Sequence, residues 1–270
     1  MAARKSRAGL FAYAVFYLAF LYVPVLFLPL FSFNDSMFIA FPLSGFTTKW
    51  YAQMWADDAL KQALLNSLKV GALAAIVSTI LAIPAAKALT RYRVPGGASM
   101  LAFVNLPLFI PEIVLGISLL ILLNAAGLPL SLLTVALGHL IVCVPFSVTV
   151  LLSRFEGFDK SLEEASLDLG ETGWMTFWRV TFPLALPGIV SSLLLSFMVS
   201  FDDFLIAYFL AGSDATLPIY IWGQLRFPYK LPAVLALGAS ILVASALLVV
   251  FAEWVRGYGL KERRHRMVGA

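Results

Sequence analysis

Ser161-Leu162-Glu163-Glu164-Ala165-Ser166-Leu167-Asp168-Leu169-Gly170, continued by Glu171-Thr172-Gly173-Trp174-Met175-Thr176-Phe177-Trp178-Arg179-Val180-Thr181-Phe182-Pro183, is a polar interval in an otherwise almost continuously apolar sequence. Ser161 with Glu164 three residues on reads as a capping box, which starts a helix. Gly170 suits the left-handed position that ends one. The spacing predicts a two-turn helix, a tight bend and a second short amphipathic segment closed by Pro183. Long apolar runs flank the interval on both sides. A short exposed helix between two membrane spans is a handle for something outside the membrane.

The composition agrees. Of 270 residues, 61% are hydrophobic and only 13% charged, whereas soluble domains average about half apolar and about a quarter charged. This is an integral membrane protein. Its single cysteine, Cys143, leaves no disulfide framework within the chain. The net charge of +4 comes from basic residues in loops and at the ends. Anchoring at a membrane surface accounts for it without a nucleic-acid partner.

Six apolar runs of helical length divide the chain, at about 8–33, 66–88, 98–123, 130–152, 184–210 and 231–254. The first is too long for a signal-peptide core and lacks a small-residue cleavage site, so it reads as an uncleaved span. Trp50, Tyr51 and Trp55 sit at interfacial depth in the loop that follows, and Lys87 can snorkel from the end of the second span. Pro107 and Pro111 break the third span. The expected fold is all-α, a single transmembrane domain over 1–270 with a loop at 154–183. Lys and Arg set its orientation. With the N-terminus inside, fourteen of the nineteen fall on inner segments and five (Lys49, Lys61, Lys69, Arg226 and Lys230) on outer ones. That bias puts both termini and the 154–183 loop in the cytoplasm.

The chain has no G-x-x-x-x-G-K-[ST] loop, so it is not expected to bind ATP itself. It has no H-E-x-x-H, no G-x-S-x-G and no paired-cysteine site, so no cofactor or metal is expected in it. His139 and Cys143 stand one turn apart. Without a third ligand they read as packing, or as one interhelical hydrogen bond.

Glu164-Ala165-Ser166, Gly170 and Val180-x-Phe182-Pro183 resemble, at the same spacings, the loop motif of ATP-binding-cassette importer permeases. Ser166, Val180 and Phe182 depart from the commonest residues there. Gly45-Phe46-Thr47-Thr48-Lys49-Trp50-Tyr51 and Leu65-Asn66-Ser67 resemble the outer loop and second-span entry of the same permeases. The resemblance implies the permease fold with a cytoplasmic coupling helix, in the bacterial inner membrane. It also implies four partners beside lipid: two ATPase subunits binding ATP and Mg, a second permease and an extracytoplasmic binding protein. Glu164, Ala165, Ser166 and Gly170 would then shape the docking helix. Leu162, Leu169, Trp174 and Phe177 would be its apolar anchors. Trp174 and Trp178 fit an aromatic belt at the inner leaflet equally well.

Acids at membrane depth mark a pathway or a partner. Glu112 lies in the third span, and Asp202 and Asp203 in the fifth. Ser192, Ser196, Ser200 and Asp203 share a narrow helical stripe, so Asp203 is expected to point into the bundle, with Asp202 about 100° around. Phe201, Phe204 and Tyr208 lie close by in sequence, and carboxylates among aromatics suit an amine cation. The strings Ser200 to Ala207 and Leu106 to Gly116 resemble the spermidine/putrescine branch, most closely the second, smaller permease of a heterodimeric pair. Phe227 to Pro232 departs from that branch, which keeps other small solutes open: an opine, an amino acid derivative or an aminophosphonate. An ion-coupled secondary transporter would leave the handle without a task. An intramembrane protease would need Glu112 and Asp203 to meet across two spans.

Overall fold

The computed structural model describes residues 2–247, with side chains described from residue 9. The end of the expected sixth span (248–254), the basic tail and the side chains of Arg4, Lys5 and Arg7 lie outside the described residues. The described chain is helical, with one antiparallel bridge between Asn34 and Phe46. Its helices are α1 (Ala2–Ser32), α2 (Lys49–Ala56), α3 (Asp58–Arg91), α4 (Gly97–Asn105), α5 (Glu112–Ala125) and α6 (Leu132–Glu156). After these come α7 (Ser161–Asp168), α8 (Gly173–Thr176), α9 (Phe182–Asp202), α10 (Leu205–Leu210) and α11 (Leu217–Gln224). Five helical stretches among the described residues are long and apolar enough to cross a membrane: Gly9–Ser32, Asp58–Arg91, Leu132–Glu156, Gly173–Asp202 and Pro228–Leu247. A bent pair, Gly97–Phe109 with Glu112–Ala125, makes six if it counts as one span.

Three spans differ most from their hydropathy limits. The second starts at Asp58 rather than 66, because a helix need not stop where the hydrocarbon does. Asp58 in its first turn and Arg91 in its last both complement the helix dipole. The third is not a kinked rod but turns through 98° between its two arms. A 3-10 turn at Leu106–Phe109 carries Pro107, and Ile110 is extended at φ −90°, ψ 130°, as a residue before proline prefers. The fifth is shifted at both ends. The helix passes through Pro183, because Phe177–Thr181 forms a wide π turn that delivers the proline to the first turn of α9. No amide is missed there. At the far end α9 stops at Asp202, since Asp203 is extended at φ −65°, ψ 124°.

The chain forms two compact units, residues 2–58 with 221–247, and Ala59–Tyr220. In the first, the loop after α1 closes around buried Asn34. Its Oδ1 accepts the Ser44 amide at 2.9 Å, and its carbonyl accepts Trp50 Nε1 at 2.8 Å. Trp50 is therefore 5% exposed and not a belt residue, whereas Trp55 is exposed.

The second unit has two apolar clusters. One gathers Val70, Val135, Ala136, Val142, Ile206 and Leu210, the other Ala82, Ala86, Val148, Leu151, Phe155 and Ile189. Buried hydroxyls join α3, α6 and α9. Thr79 meets Ser192 at 2.9 Å, and Ser147 meets Ser196 at 2.8 Å and Ser78 at 3.1 Å. The small-polar stripe of α9 thus faces inward as its spacing predicts. In a lipid setting such interhelical hydrogen bonds hold what apolar burial alone cannot.

Candidate functional site

Two polar regions of the second unit carry the chemistry. At the break after α9, the carboxylate of Asp203 turns back and accepts the Ala207 amide at 3.1 Å, supplying an acceptor for the first turn of α10. The same oxygen, Oδ1, faces His139, whose Nε2 lies 3.2 Å away. His139 Nδ1 contacts Ser200 Oγ at 2.6 Å. His139 is thus an interhelical tie, and Cys143 bonds separately through its thiol to the Ser196 carbonyl at 3.5 Å. No group of three metal-ligating side chains occurs among the described residues.

The two chain breaks share one cleft of about 480 Å³. Pro107, Leu108 and Ile110 of the bent span line it beside Glu112, and Val142 and Phe146 of α6 add to the wall. Asp202, Asp203 and Phe204 supply the rest of its polar and aromatic surface. Glu112 is the first residue of α5, where the helix dipole favours a carboxylate. Asp203 is largely buried and Asp202 exposed, yet both line the cleft, because the helix that would have rotated them apart ends between them.

Phe201 and Tyr208 are not among the lining residues. Phe201 stacks on Phe197, with centroids 5.5 Å apart. Tyr208 backs Phe204 at 5.4 Å and is half exposed. Phe146 is the aromatic wall residue that sequence reasoning missed, since nothing distinguishes one phenylalanine of α6 from its apolar neighbours.

The second region is the loop between α6 and α9. Gly170 stands at φ +90°. The Glu171 amide reaches the Ser166 carbonyl at 3.2 Å and the Gly170 amide the Leu167 carbonyl at 2.9 Å, a Schellman end as expected. The capping box is not formed. Lys160 is already helical, and the Ser161 amide donates instead to Asp159 Oδ1 at 3.0 Å. That bond from Ser161 holds the Asp159 carboxyl below the usual aspartate range.

Of the residues expected to dock, Glu164, Ala165, Leu162, Leu169 and Trp174 are exposed. Leu169 is 86% and Trp174 69% exposed. Ser166 is turned inward and meets Thr176 Oγ1 at 3.0 Å. Phe177 is half-buried in an aromatic cluster with Trp174, Trp178 and Phe182. The inward face also carries Glu163, which sequence reasoning passed over. Its carboxylate accepts Arg91 Nε at 2.9 Å and the Thr181 hydroxyl, with Lys87 Nζ at 3.9 Å. Lys87 therefore lies partly buried over the Phe177 ring rather than snorkelling. The available signal was Lys87 and Arg91 themselves, two cations one helical turn apart that need an anion.

Residues 78–257 match the family described as binding-protein-dependent transport system inner membrane component. The putrescine transport system permease protein PotI of Escherichia coli K12 is 36% identical over 252 residues, 90% of this chain and 89% of its own length. The spermidine/putrescine transport system permease protein PotC of the same strain is 34% identical over 256 residues, 94% of this chain and 95% of its own. A probable molybdenum ABC transporter permease protein of Haloferax volcanii is 35% identical over 203 residues, 69% of this chain and 76% of its own length. The fold is shared with a solved bacterial ABC transporter involved in the import of the acidic polysaccharide alginate. There the TM-score is 0.69 at 17% identity, with 94% of this chain and 98% of that one covered. Such permeases are not themselves enzymes, and a separate ATPase powers transport. With a family match over most of its length and full-length relatives above 30% identity, the chain belongs to the inner-membrane permeases of binding-protein-dependent ABC transport systems.

Proposed function

We propose that this permease forms half of an import pathway for a small amine cation, a polyamine such as putrescine or spermidine. The convergence of Glu112, Asp202 and Asp203 on one cleft carries this reading. Three carboxylates repel an anion, and with Phe146 and Phe204 beside them they suit an ammonium group. The volume falls within the usual range for small-molecule sites, about 300–1,000 Å³. The extensive similarity to PotI and PotC supports the same solute class. The exposed face of α7 and its neighbours docks one of two ATPase subunits, which bind ATP and Mg. A second, different permease completes the pathway, an extracytoplasmic protein delivers the solute, and both termini lie in the cytoplasm.

Reconstituted complex supplied with its binding protein and labelled putrescine tests the solute. Asp203→Asn retains an acceptor for the Ala207 amide, so the complex should assemble and hydrolyse ATP. Uptake should fall about tenfold, equivalent to about 1.4 kcal/mol. Glu112→Gln should behave alike. Undiminished uptake in both variants would sink the cationic pathway.

A further inference from the structure

Glu163 sits where three segments meet. Through Arg91 its carboxylate is tied to the end of α3, and through Thr181 to the π turn that leads into α9. Arg91 also donates Nη2 to the Phe158 carbonyl at 3.3 Å and lies over the Phe158 ring, 4.6 Å from its centroid. Lys87 spans Glu163 and Phe177 in the same way. The Arg91 side chain is 6% exposed and that of Glu163 12%. On the opposite side of α7, Leu162 and Ala165 are exposed. One face of this helix is thus open, and the other is held by ion pairs to α3 and by a hydroxyl hydrogen bond to the π turn before α9.

We infer that Glu163 is a positioning residue for transport: with Arg91, Lys87 and Thr181 it clamps α7 to α3 and α9, so that a push on α7 moves these spans as one body. The inference rests on α7 being the segment the ATPase grips. Beside the clamp, the loops on either side of α7 and the Ser166–Thr176 hydrogen bond join it to the spans. A buried ion pair suits this task, because loss of one partner leaves an uncompensated charge and the pair resists partial separation. The π turn fits the same picture. Its extra residue places Thr181 toward Glu163 while Phe182 continues into α9.

The test uses the whole complex with spin labels at Tyr92→Cys and Asp168→Cys, both exposed positions at the ends of α3 and α7. The native Cys143 is buried and takes no label. The unaltered clamp gives one narrow distance with and without ATP. In Glu163→Gln that distance broadens or splits on ATP addition, and putrescine imported per ATP falls about tenfold, within the range for members of one salt-bridge network. Thr181→Val, which removes a hydroxyl and no charge, acts in the same direction by less. The exchanged pair, Arg91→Glu with Glu163→Arg, made together with Lys87→Gln so that the new cation meets no like charge, restores both readouts relative to either single change. It also recovers the complex if a single change prevents its isolation.

A narrow distance that persists in Glu163→Gln and Glu163→Ala overturns the clamp, whatever uptake does. An exchanged pair no better than the single changes overturns it as well. Failure of the unaltered complex to import putrescine counts against the solute alone, because the distances still decide the clamp. Failure of the ATPase to co-purify with the unaltered chain removes the docking on which the clamp rests.

Discussion

Gly170 turns the chain at φ +90°, and a Cβ built there would meet nothing within 4 Å. The cost of substitution is therefore confined to the backbone. Gly170→Ala should destabilise the turn by about 1–2 kcal/mol, and Gly170→Asn by less. Co-purification of the ATPase should fall in that order while membrane insertion is unchanged. Glu164 is exposed and caps nothing, so Glu164→Ala should leave α7 intact, and any ATPase lost would report docking alone.

The cap belongs to Asp159, and its depressed carboxyl fixes the pH dependence. The ionised cap acts fully above the ordinary aspartate pKa, about 3.9, and fades as pH falls through the lower folded value. At neutral pH Asp159→Ala should speed amide exchange along α7, whereas Asp159→Asn should largely preserve protection. The sequence Ser161-x-x-Glu164 located the helix and named the wrong cap. Propensity sees every Ser, Thr and Asp near a helix start, and only the conformation of Lys160 decides which of them faces the open amides.

Among the elements, the inward face of α9 was legible because hydroxyls at four-residue spacing have no reason to share a lipid-facing side. Its ends were not. Hydropathy runs on unbroken past Asp202–Asp203 to Leu210, and it does not register a single extended residue whose own carboxylate repairs the missing bond. Pro183 ordinarily stops a helix, and here the π turn before it removes the reason to stop. The packing of α10 on α6 follows from Gly138. A Cβ there would stand 2.6 Å from Leu210 Cδ1 and 2.7 Å from Ile206 Cγ2. Gly138→Val should cost about 1–3 kcal/mol, read as a lower melting temperature of the purified permease. By tilting α10 it should also lower uptake.

For the whole molecule, the charge bias makes a topological prediction. Reporters inserted at Gly127 should be read from outside the cell and those at Gly157 from the cytoplasm. The opposite result would reverse the proposed orientation. The long apolar helices, the short helix of the loop between α6 and α9 and the three acids at the cleft could be read from the sequence, since each is written in composition or local spacing. The shared cleft could not, because it depends on two helix breaks distant in sequence, at Ile110 and Asp203, opening onto the same space. The hydroxyls joining α3, α6 and α9 carry one further consequence. Lipid tails are as apolar as leucine, so helices gain little from apolar contact inside a bilayer. Close packing and the hydrogen bonds among Thr79, Ser147, Ser192 and Ser196 then distinguish associated from separated spans. Small alcohols that dissolve in the membrane offer each hydroxyl an equivalent partner, and alkanes of equal size do not. Disruption of this permease by membrane-soluble compounds should therefore rank by hydrogen-bonding capacity rather than by oiliness.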